Sequence, residues 1–131
     1  MLKPKYSWTR ILRGTNGSHS FWRDEISGLV SLKDSSGCTP DITDDGVLWL
    51  EDWLPLKLHR DGYVSIPLRS ERTGRQTSSV TNLYAGLRIA AKFKMEMIIE
   101  DCLCDLEEVS HDVETQVYDR NGHHAIGIKF K

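Results

Sequence analysis

No apolar run in the sequence approaches the roughly 18 residues that a transmembrane helix needs, so an integral membrane protein is not expected. Cysteine is scarce. Cys38, Cys102 and Cys104 are odd in number and uneven in spacing, which argues against a disulfide framework and for a reducing, cytoplasmic setting. The segment Met1 to Arg13 is basic but has neither an apolar core nor a small-residue cleavage site, so no secretory leader is expected. Also missing are a Gly-rich phosphate loop, a nucleophile elbow, an internal repeat and any low-complexity tract. Together these absences leave no motif-based ground for an enzyme, a cofactor or a structural metal.

What is present suits a globular chain. The 131 residues are 39% hydrophobic and 27% charged, ordinary values that let a single domain, 1–131, bury a core without staples. The net charge of −2 says little, but the charges are segregated along the chain. Lys3, Lys5, Arg10 and Arg13 precede any acid, and Asp34 to Asp52 is acidic with no base. Arg69, Arg72, Arg75, Arg88, Lys92 and Lys94 stand against Glu71 alone, and Glu96 to Asp119 holds no Lys or Arg. Such blocks build opposed surface fields that steer partners, unless neighbouring strands cancel them.

Apolar rhythm organises the middle of the chain. Val80, Leu83, Tyr84, Leu87, Ala90 and Ala91 recur with a helical period. From Lys92 the period becomes two, with Phe93, Met95, Met97 and Ile99 on one face. The pattern predicts a helix over about Ser78 to Lys92, capped by Ser78 or Thr77, that feeds a half-buried strand. One helix continuing to Val109 is the rival. Asp61-Gly62 between alternating runs predicts a β-hairpin with a type I′ turn, and Asn121-Gly122 signals a second. Lys5 to Arg13 reads as a strand ending in a Gly-rich turn, Ser18 to Lys33 as a helical turn or irregular strand and then a strand. Asp34 to Gly46 and Ser70 to Thr77 read as loops. The sum is an α+β fold: a mostly antiparallel sheet of β-hairpins with one main amphipathic helix packed on it.

Three constellations carry candidate chemistry. Arg69, Arg72 and Arg75 lead into the expected helix, whose polar side adds Arg88 and Lys92; such a set would hold phosphates without reading bases. Glu100, Asp101, Asp105, Glu107, Glu108 and Asp112 could face a basic groove on another protein, imitating nucleic acid. With His111, His123 or His124, the carboxylates Glu100, Asp101 and Asp105 could instead serve a metal-dependent nuclease. Cys102-x-Cys104 lacks the spacing of a zinc knuckle, and buried thiols are the simpler reading. Trp49 and Trp53 flank Glu51-Asp52 on a strand with two apolar faces, suited to a core or to an interface. Only Tyr6 and Trp8, beside Lys3, Lys5, Arg10 and Arg13, interleave rings with bases as nucleobase stacking requires.

The expected function is a non-enzymatic protein–protein interaction module, an inhibitor or regulator of another protein, itself one that handles nucleic acid on the mimicry reading. It would dock through Trp49, Trp53, Glu100, Asp101, Asp105, Glu107, Glu108 and Asp112. A homodimer formed through an exposed strand edge is compatible with this role. The alternative is nucleic-acid binding by Arg69, Arg72, Arg75, Arg88 and Lys92, and the nuclease reading comes third.

Overall fold

The computed structural model describes residues 5–14, 20–33, 46–100, 113–120 and 123–130. Among the described residues strands dominate, with one helix, and the strands pair mostly antiparallel. The chain forms two compact units that are interleaved in sequence: Met1–Glu51 with Leu68–Thr77, and Asp52–Pro67 with Ser78–Lys131.

The first unit contains β1 (Trp8–Leu12), β2 (Ser20–Asp24), β3 (Val30–Lys33) and β4 (Leu48–Leu50). To these it adds the end of β6 (Val64–Ser70) and the start of β7 (Gln76–Thr81). The strands pair in the order β1-β2-β3-β4-β6, all antiparallel. Residues directly opposed in such pairs share a face. One face therefore carries Phe21, Leu32, Leu50 and Leu68, all buried. Of the stretch Ser18 to Lys33, expected to be a helical turn or irregular strand followed by a strand, the described part from Ser20 is a hairpin of two strands, so the strand alternative holds and the helical turn does not. The reason is that Phe21 and Trp22, on opposite faces of β2, are both buried, which a surface helical turn would not achieve. Ser70 to Thr77 is likewise not all loop, because β7 begins at Gln76.

The second unit contains β5 (Leu56–Leu58), the start of β6, the end of β7, α1 (Leu83–Phe93), β8 (Met97–Glu100), β9 (Val113–Arg120) and β10 (His123–Phe130). Here β6 pairs with β5, β5 runs parallel to β8, and β8-β10-β9 continue antiparallel. Leu56, Leu58, Val64, Met97, Ile99 and Ile128 align on one buried face. Burying each such side chain contributes about 1.5–3 kcal/mol. On this face sits α1, through Ala85, Gly86, Ile89 and Ala90. Small residues let the helix come close, and Gly86 lies directly against Val64.

Helix α1 starts five residues later than the sequence pattern predicts. Asn82, not Ser78 or Thr77, is the N-cap, its Oδ1 accepting from Ala85 N–H at 2.8 Å. Lys94 ends the helix in the left-handed conformation (φ 53°), and Met95 N–H donates back to Ala90 O at 3.0 Å. The unbroken helix to Val109 is thereby ruled out, since β8 follows at once. The Asp61-Gly62 hairpin differs in its turn. A type I′ turn needs positive φ at both central residues, whereas in His59–Gly62 only Gly62 has one (φ 90°). Gly62 N–H donates to His59 O at 2.9 Å, and His59 N–H to Tyr63 O at 2.8 Å. This is the three-residue loop that closes with a left-handed glycine. No described helix is long and apolar enough to cross a membrane.

Candidate functional site

The richest side-chain assembly lies on the second face of the first unit. Strand register lines up Arg10, Trp22, Ser31, Trp49 and Arg69 across β1, β2, β3, β4 and β6. Two residues along each strand, Trp8, Asp24 and Glu51 share that face. Trp22 and Trp49 are sunk into it, 7% and 3% exposed. Tyr6 and Trp8 lie over Trp49, with ring centroids 5.5 and 5.7 Å from it and 5.1 Å from each other. Lys5 Nζ stands 5.5 Å from the Tyr6 ring centre, and the Arg10 guanidinium 5.5 Å from that of Trp22.

Each carboxylate on this face is engaged. Glu71 accepts from the indole N–H of Trp49, and Glu51, 8% exposed, pairs with Arg69 Nε at 3.2 Å. Asp24, 1% exposed, accepts from Ser7 N–H at 2.7 Å, Ile26 N–H at 3.3 Å, and Ser27 N–H and Oγ–H at 3.1 and 2.8 Å. Burial raises its pKa, but these hydrogen bonds outweigh it and hold the carboxyl below the ordinary 3.8. Glu25 N–H also donates to Ser7 O at 2.7 Å. Both backbone groups of Ser7 are therefore tied to the β2–β3 turn, and Ser7 is the residue between Tyr6 and Trp8. Asp24 thus fixes the strand end that presents the two rings.

The second unit holds the exposed aromatics. Trp53 and Tyr84 are each 70% exposed, with Tyr63 and Val80 more than half exposed. The Arg88 guanidinium lies 5.9 Å from the Tyr84 ring centre, one helical turn on. Across the β5–β6 hairpin, His59 Nε2 and Ser65 Oγ share a hydrogen bond. That pair was readable only from hairpin register, because neither residue sits in a sequence motif.

The expected site residues separate as follows. Trp49, assigned to docking by its sequence, is interior: it is buried beneath Tyr6 and Trp8 and bound to Glu71, so it presents no surface. Trp53 is exposed and belongs to the other unit. Asp101, Asp105, Glu107, Glu108 and Asp112 lie outside the described residues, as do Cys38, Cys102, Cys104 and His111. Glu100 is placed only as the β8 residue opposite Ala125, and His123 and His124 only as β10 residues opposite Arg120 and Asp119. Of the basic set, Arg69 is held by Glu51, while Arg72 and Arg75 are exposed on the β6–β7 turn of the first unit. Arg88 and Lys92 belong to α1 in the second. No group of three metal-ligating side chains occurs among the described residues. Comparison with known proteins finds no matching family model, no matching curated protein and no matching solved structure.

Proposed function

We propose that the protein is a non-enzymatic interaction module that docks on another protein and restrains or tunes it. The observation that supports this is Trp53, a large aromatic left 70% exposed in the turn before β5. Large exposed aromatics are characteristic of docking surfaces, where a few Trp, Tyr and Arg side chains carry most of the energy. Tyr63 and Tyr84, exposed in the same unit, extend the aromatic supply. On this reading Glu100, Asp101, Asp105, Glu107, Glu108 and Asp112 meet a basic groove of the partner, such as one that otherwise holds nucleic acid. Nucleic-acid binding by Arg69, Arg72, Arg75, Arg88 and Lys92 has weaker support, because Arg69 is occupied by Glu51.

The test is capture by immobilised protein, identification of the captured partner by mass spectrometry, and titration of that partner. Trp53→Ala is expected to weaken it about 30-fold, the loss typical of a central Trp, and Glu107→Lys with Glu108→Lys to abolish capture. Full affinity in both variants, with circular dichroism unchanged, would refute the reading.

A further inference from the structure

We propose that the first unit binds single-stranded nucleic acid at the Tyr6–Trp8 end of its sheet, with nucleobases stacked on Trp8 and Tyr6 and a phosphate held by Arg10. This goes beyond the docking role and uses different residues from it.

The rings meet the requirement for stacking. Tyr6 and Trp8 are half-buried, so each is partly covered and partly open. Trp49 backs both, and the Asp24 network fixes the backbone between them. A platform held in this way loses little freedom when a ligand lands on it. Residues 6, 8 and 10 recur on one side of an extended chain at about 6.6 Å intervals. Ring, ring and guanidinium therefore follow one another as base, base and phosphate would.

Charge selects the ligand. Lys5 and Arg10 are exposed, and Arg10 has no ion pair among the described residues. The carboxylates nearest on this face are committed elsewhere than to Arg10: Glu51 is paired with Arg69, while Asp24 accepts from Ser7 and Ser27 and Glu71 from Trp49. Cations interleaved with aromatic faces suit a flexible polyanion whose every unit carries a π-face, which an acidic peptide does not offer. Strand addition is disfavoured at this edge. The register of β1 slips between Arg10 and Leu12, and an irregular edge bearing Arg10 resists a new strand.

The experiment is fluorescence anisotropy with a labelled oligo-dT and a labelled oligo-U of about twelve nucleotides at low salt, with tryptophan emission followed in parallel. Binding is expected with quenched emission and an affinity that falls steeply as salt rises. Arg10→Gln should weaken binding several-fold and flatten the salt dependence. Trp8→Ala should weaken it about tenfold or more. If Trp8→Ala fails to fold, exposed Arg10→Gln still decides the matter. The proposal is overturned by no anisotropy change at low salt, by undiminished binding in Arg10→Gln, or by equal competition from poly-glutamate. It is equally overturned if Arg72→Gln with Arg75→Gln abolishes binding while Arg10→Gln does not.

Discussion

Gly86 gives the sharpest check on the helix-to-sheet packing, because the sign of the effect reverses with it. On intrinsic propensity, Gly→Ala in a helix interior stabilises by about 0.8–1 kcal/mol. Here an alanine Cβ would stand 2.7 Å from Val64 Cγ2 and 2.9 Å from Val64 Cβ and Cγ1, whereas carbon contacts are most favourable near 3.5–4.0 Å. Val64 is fully buried, so it has nowhere to retreat. Overpacking of this kind costs about 1–3 kcal/mol, which outweighs the propensity gain. Gly86→Ala is therefore expected to destabilise by up to about 2 kcal/mol and to lower Tm by up to about 10 °C, read by circular dichroism on heating and in urea. Val64→Ala removes two of the three offending atoms. Adding Gly86→Ala to that background should cost about 1 kcal/mol less than in the native protein. A rise in Tm for Gly86→Ala alone, or additivity of the two changes within about 0.5 kcal/mol, would refute the seating of α1 on β6.

Two further outcomes concern the first unit. Trp49→Phe strands the Glu71 carboxylate and should cost about 1.5–3 kcal/mol for that bond alone. Trp22→Phe should cost less, because the buried Trp22 indole N–H has no acceptor among the described residues; equal losses in urea titrations would contradict the assigned roles. Asp24 has a folded-state pKa below 3.8, so its stabilisation is complete above the unfolded value and is lost as pH falls through the lower folded one. The urea midpoint of the native protein should accordingly fall more steeply below about pH 4 than that of Asp24→Asn, and parallel curves would show that the Ser7 and Ser27 bonds favour neither protonation state.

Local signals were legible where a short stretch sets its own conformation. The Asp61-Gly62 hairpin joins β5 to β6, although the loop has three residues rather than two because only Gly62 takes a positive φ. The change of rhythm after α1 is real, but it falls at Lys94, which turns left-handed, rather than at Lys92. Alternation then places Met97 and Ile99 under the helix, while Ile98, the apparent exception, is buried on the other face. What the pattern misplaced depends on distant partners. Gln76 to Thr81 is polar and reads as loop and helix start, yet pairing with β6 makes it a strand. Trp49 looks like a docking residue among acids until Glu71, 22 positions on, takes its N–H. The order Arg10, Trp22, Ser31, Trp49, Arg69 exists only once four registers are known.

The division of β6 between the two units has a consequence during synthesis. Neither unit corresponds to a continuous piece of chain, since residues 52–67 interrupt one and 68–77 interrupt the other. As the nascent polypeptide leaves the ribosome, Trp49 and Glu51 emerge well before Glu71 and Arg69, the groups that satisfy them. The amino-terminal half must wait, with the Trp49 indole N–H lacking Glu71 and Glu51 lacking Arg69, until about residue 77 has emerged. A fragment cut anywhere between Glu51 and Arg69 would keep β1 to β4 and lose the guanidinium that pairs with the buried Glu51.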